Sequence, residues 1–164
     1  MRVLFTGMAM LMTAAPVFAD SPDASFYKDA AAGGMSEVEL GQLAQDKAST
    51  PAVKEFGAMM VKDHSAADDR LKRLAMSEQV SLQGGPTVLQ KATKAKLDMM
   101  SGESFDKSYI KGMLDDHKAD IKDFQKEASD GKDPQARAFA AATLPTLKHH
   151  LQRAEAIAKS AGIE

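Results

Sequence analysis

The pattern M-x-x-D-H occurs twice in this chain, at residues 60–64 and again fifty-three residues later at 113–117. Both copies lie in stretches whose apolar residues recur at helical spacing. Residues four apart share one face of a helix, so each methionine should lie one turn from its histidine. Thioether with imidazole suits copper, and imidazole with carboxylate suits zinc. The duplicated motif therefore predicts two helices that carry metal-ligating groups on their apolar faces.

Two further ionisable residues fall on apolar stripes, Glu37 in the first helical stretch and His150 in the last. A buried ionisable group costs free energy unless it is paired, hydrogen-bonded or bound to metal. Four-helix bundles build metal sites from such inward groups at mid-helix. The predicted ligands are the three histidines, with an acid or a thioether completing the set: His64, His117, His150, Glu37, Asp63, Asp116, Met60 and Met113.

The ligand types favour copper or zinc and disfavour iron. A carboxylate-bridged di-iron site needs Glu-x-x-His on two helices, and the residues three before the histidines are Val61, Leu114 and Leu147. A second interpretation needs no metal, because a buried His-acid network can fix the register of a bundle. In that case the methionines fill gaps in a core without tryptophan.

The helices that must position these residues follow from periodicity and from helix start and stop signals. Ser21 and Pro22 have the form of an N-cap and first helical residue, and Thr50 and Pro51 repeat it. Pro145 lies inside the last helix and should bend it just before His149 and His150. The predicted helices span residues 23–47, 51–78, 87–100, 104–129 and 134–161.

The order of these elements is a hairpin, a long crossover and a second hairpin. The composition agrees with an all-α protein, because aromatic residues make up 5% of the chain and tryptophan is absent. One long crossover between two antiparallel pairs is the connectivity of ferritin-like bundles. We predict an all-α, ferritin-like four-helix bundle whose two antiparallel hairpins are joined by a crossover containing a short extra helix.

The N-terminus has the form of a signal peptide, with Arg2, an apolar run over residues 3–15 and V-F-A at 17–19. The run is shorter than the ~20 residues of a spanning helix, so an uncleaved anchor is the weaker alternative. We divide the chain into a signal peptide, residues 1–19, and a helical-bundle domain, residues 20–164. No later stretch is apolar enough to span a bilayer, which indicates a periplasmic protein.

Composition excludes several functional classes. The chain has no cysteine, so disulfides, thiol catalysis and a lipoprotein anchor are excluded. Its formal charge is −2, and cleavage after residue 19 removes one base and no acid, giving −3. Such an evenly mixed acidic chain is not a nucleic-acid binder. Neither a glycine-rich phosphate loop nor a G-x-S-x-G motif is present.

Several segments together resemble the exported bacterial family called domain of unknown function 4142. They are A-G-G-M-S-E-V-E-L-G at residues 32–41, M-x-x-D-H-S at 60–65, F-D-x-x-Y at 105–109, D-H at 116–117 and L-P-x-L-x-x-H-L at 144–151. The resemblance implies a secreted or outer-membrane-associated protein of the ferritin-like superfamily, without an established activity. The family's motif positions in this sequence are Glu37, Glu39, Met60, Asp63, His64, Asp116, His117 and His150.

Three functions stay open on the sequence alone. The first is a non-enzymatic metal-binding protein, which requires the three imidazoles to share one ligand sphere with partners on their outer nitrogens. The second is a structural or interaction protein of the cell envelope, with a second copy or another envelope protein as partner. The third and least favoured is a redox enzyme that uses bound iron or copper.

Overall fold

The computed structural model describes residues 21–163, and these form five α-helices joined by short turns and one longer crossover. The predicted helices are confirmed, with ends that differ by a residue or two. The five helices are α1 (Ala24–Lys47), α2 (Pro51–Ser77), α3 (Val88–Asp98), α4 (Gly102–Asp130) and α5 (Pro134–Ala161).

The predicted N-cap of α1 is wrong. Ser21 is not its N-cap, because the helix begins at Ala24 and the capping position belongs to Asp23. The Ser21 hydroxyl instead donates a hydrogen bond to Asp133 Oδ2 at 3.1 Å, in the turn between α4 and α5. A long-range contact thus determines where the first helix begins.

The other ends follow their local signals. Thr50 accepts a hydrogen bond from the Val53 amide at 3.4 Å, and Asp133 accepts one from the Gln135 amide at 2.8 Å. Gly162 ends α5 with a φ of 61°, in the left-handed region that glycine adopts without strain. Helix α5 extends on both sides of Pro145, and the bend expected there stays a prediction.

The arrangement of the helices confirms the predicted connectivity. Helix α1 packs chiefly on α2, and α4 packs chiefly on α5, while α3 lies in the crossover against α1 and α4. In the first hairpin, α1 and α2 approach each other unusually closely at Gly41 and Gly57. A Cβ built on Gly41 would lie 2.6 Å from the Gly57 carbonyl oxygen, so only glycine permits this approach.

A layer of ionisable residues divides the core into two apolar clusters. Along each long helix one apolar segment precedes this layer and another follows it. The first cluster includes Leu40, Phe56, Met60, Tyr109, Met113 and Ile157. The second includes Tyr27, Leu71, Ala75, Val80 and Phe139. Glu37, His64, His117 and His150 lie between the two clusters in their helices and are themselves buried.

The predicted signal peptide, residues 1–19, lies outside the described residues. Within residues 21–163, none of the helices combines the length and the apolar character that crossing a bilayer requires.

Candidate metal centre

Three histidines from three helices meet in the polar layer. His64 comes from α2, His117 from α4 and His150 from α5, and one ring nitrogen of each lies within 4.8 Å of the others. Their ring centroids are 5.2 to 5.8 Å apart. His117 and His150 are 0% exposed and His64 is 6% exposed. The structure therefore brings together the three imidazoles that the sequence places on separate helices.

Glu37 orients the His64 ring from α1. The Nδ1 atom of His64 lies 3.0 Å from Glu37 Oε2, so it carries the proton and donates to the carboxylate. The other nitrogen, Nε2, is buried and has no hydrogen-bond partner. His64 thus keeps one nitrogen lone pair that no protein donor satisfies.

His117 is oriented by its own helix. Its Nδ1 donates to the Met113 carbonyl oxygen at 2.9 Å and also lies 3.4 Å from Glu37 Oε1. The lone pair must therefore be on Nε2, because a neutral imidazole carries one proton. That Nε2 lies 3.3 Å from Nδ1 of His150.

Asp63 orients His150. The Nε2 atom of His150 lies 3.0 Å from Asp63 Oδ2, which assigns the proton to Nε2 and the lone pair to Nδ1. The 3.3 Å contact between His117 and His150 consequently joins two nitrogen lone pairs rather than a donor and an acceptor. Two nitrogens bound to one tetrahedral ion, each at about 2.0 Å, would lie roughly 3.3 Å apart.

Burial keeps these imidazoles neutral. It lowers the pKa of all three histidines, that of His150 to about 4, and the neighbouring histidines lower the pKa of His117 and His150 further. Burial also raises the pKa of Glu37, an effect that the nearby His117 opposes. Neutral imidazole is the form that ligates metals, so the donor set fits a metal ion at neutral pH.

The remaining predicted ligands have other positions. Asp63 holds the His150 ring and so can support this residue, and its own ligation of a metal stays a prediction. Met60 and Met113 lie in the first apolar cluster, and Met113 contributes a carbonyl oxygen to His117. The side chain of Asp116 is exposed and lines a cleft beside α3. Ligation by the two thioethers or by Asp116 stays a prediction.

Two acidic residues of the site escaped the sequence analysis. Asp68 lies one turn after His64 and is 7% exposed, and Asp120 lies one turn after His117 and is half-buried. With Glu37 and His64 they line one cavity. Burial raises the pKa of both, that of Asp68 to about 6. Their spacing of four and three residues from a histidine was the available signal.

Two antiparallel helical hairpins around a buried layer of histidine and carboxylate define a ferritin-like bundle. The chain belongs to the family described as domain of unknown function, DUF4142, which matches residues 8–157. No curated protein matches the chain.

The fold has a relative among solved structures. A crystal structure of a DUF305 protein from Streptomyces coelicolor, described as secreted, superposes with a TM-score of 0.74. Its sequence identity is 13%, and the match covers 88% of this chain and 96% of that one. At this identity the similarity establishes the fold alone.

Proposed function

We propose that the chain is an exported, periplasmic, non-enzymatic protein that binds one copper or zinc ion through His64, His117 and His150. One observation carries the proposal. One ring nitrogen of each histidine is hydrogen-bonded, to Glu37, to the Met113 carbonyl or to Asp63. The lone pairs on the other three ring nitrogens therefore converge without a donor. Metal-bound histidines characteristically have such partners on their second nitrogen.

The localisation follows from the N-terminal segment. Its basic start, apolar run and V-F-A site are those of an exported chain.

A protein without cysteine has no thiol ligand to offer, so imidazole is its best ligand for copper and zinc.

A structural role for the same residues is the second candidate. The hydrogen bonds from the histidines to Glu37, Met113 and Asp63 form without a metal. Those to Glu37 and Asp63 join α1, α2 and α5, whereas the one to Met113 lies within α4. A network with a purely structural role is expected to satisfy every buried polar atom. His64 Nε2 has no hydrogen-bond partner, and the lone pairs of His117 and His150 face each other, so both observations count against a purely structural role.

The wild-type protein tests the proposal directly. We expect the untagged mature chain, purified from the periplasm, to contain one equivalent of metal by elemental analysis. After metal removal, addition of Zn(II), Cu(I) or Cu(II) to 100 times the dissociation constant should stabilise the fold by about 2.7 kcal/mol, measured by thermal unfolding. Fe(II) serves as the comparison ion. Absence of bound metal and of any shift would leave the structural role.

Replacing Asp63 by asparagine should weaken metal binding by about 10- to 100-fold, because an amide polarises the His150 ring less than a carboxylate does. Competition with a chelator of known affinity measures the change. Asp69→Asn is the matched control, since Asp69 is exposed on the same helix. Equal affinities in the two variants would show that Asp63 does not support a metal ligand.

A further inference from the structure

A cavity of about 90 Å³ lies beside the histidine cluster and is lined on one side by carboxylates. Glu37, Asp68 and Asp120 are its buried or half-buried acids, and the exposed Asp29 and Asp123 also line it. No lysine or arginine is among its lining residues in the described part of the chain.

One carboxylate oxygen of this cavity lacks a hydrogen bond. Glu37 is only 4% exposed, and its Oε1 atom is buried without a hydrogen-bond partner among the described residues. Lys72, one turn beyond Asp68, is exposed and does not line the cavity. Buried carboxylates without donors are costly unless a cation or protons neutralise them.

The position of Asp68 depends on a glycine in the facing helix. A Cβ built on Gly34 would overlap Asp68 Oδ1, whereas a Cβ on Gly33 would meet no atom within 4 Å. Helix α1 therefore carries a glycine at the point where this carboxylate needs room, although glycine weakens a helix interior by about 1 kcal/mol relative to alanine.

We propose that this cavity is a second cation subsite, separate from the histidine cluster, which binds a partly hydrated divalent cation through Glu37, Asp68 and Asp120. Carboxylate oxygens select cations such as Mn(II), Mg(II) and Ca(II), whereas the three imidazoles select zinc or copper. At about 30 Å³ per water, the cavity holds an ion with two or three waters. Glu37 belongs to both sites. Its Oε2 accepts from His64, and its Oε1 forms no hydrogen bond, because His117 Nδ1, 3.4 Å away, donates to the Met113 carbonyl oxygen.

Mn(II) binding, followed by electron paramagnetic resonance on the mature protein, tests this subsite. We expect one Mn(II) per chain in the wild type and at least about tenfold weaker binding in Asp68→Asn/Asp120→Asn, because ligand charge sets the affinity of oxygen sites. This variant removes charge at constant volume, so its melting temperature should not fall. Mn(II) binding of equal strength in the variant and the wild type would overturn the proposal.

Two alanine variants sharpen the test. Gly34→Ala should displace Asp68 and weaken Mn(II) binding, and Gly112→Ala, which lies outside the cavity lining, should leave it unchanged. Zn(II) titration of the same samples separates the two proposals. Zn(II) binding without Mn(II) binding overturns the subsite alone, and Mn(II) binding without Zn(II) binding supports the subsite and overturns the histidine centre.

Discussion

Replacing His64 and His117 together by alanine is expected to abolish the stabilisation of the fold by Zn(II) or copper. The double variant keeps one of three converging imidazoles, and a single buried nitrogen holds a transition metal weakly. The shift of about 2.7 kcal/mol expected for the wild type at 100 times its dissociation constant should therefore vanish at the same metal concentration. Thermal unfolding with and without metal measures it.

The control for this experiment is His149→Ala. His149 is exposed and adjacent to His150, so removing it should leave the metal-dependent shift intact. The double variant will also be less stable without metal, because Glu37 Oε2 loses its donor and a buried unsatisfied acceptor costs about 1–3 kcal/mol. A metal-dependent shift of wild-type size in the double variant would refute the histidine centre.

The second large effect is expected at the crossing of α1 and α2. Gly41→Ala would bring a Cβ to 2.6 Å from the Gly57 carbonyl oxygen and 3.1 Å from the Met60 Cβ. The helices would have to separate, and overpacking of this kind costs about 1–3 kcal/mol or more. That loss should exceed the gain of about 1 kcal/mol from the higher helix propensity of alanine. Urea unfolding gives the difference.

Gly112→Ala is the matched control, because a Cβ there would meet no atom within 4 Å. It should leave the free energy of unfolding unchanged or raise it by up to about 1 kcal/mol. Gly41→Ala should also weaken metal binding, since Glu37 lies one turn before Gly41 and supports His64 across the same hairpin. A Gly41→Ala protein as stable as Gly112→Ala would show that the hairpin tolerates a wider separation.

Local patterns in the sequence were sufficient to predict the helices and the position of the polar layer. Thr50, Asp133 and Gly162 carry their capping signals within a few residues, and the helical period places His64, His117 and His150 on buried faces. These properties depend on contacts within one or two turns, which sequence spacing describes directly. The family resemblance supplied the same fold independently.

The roles of individual atoms depended on the packing of the helices. The sequence placed Asp63 beside His64 in α2, and only the packing shows that its carboxylate holds His150 in α5. Ser21 was predicted as a helix cap, yet it binds Asp133. The inward ring nitrogen of His64 and of His150 is set by a partner on another helix, which spacing does not encode, whereas that of His117 is set by the Met113 carbonyl one turn earlier. The sequence alone therefore determined the fold and the placement of the three histidines on buried helix faces. Only the tertiary structure decided which of their nitrogen lone pairs converge.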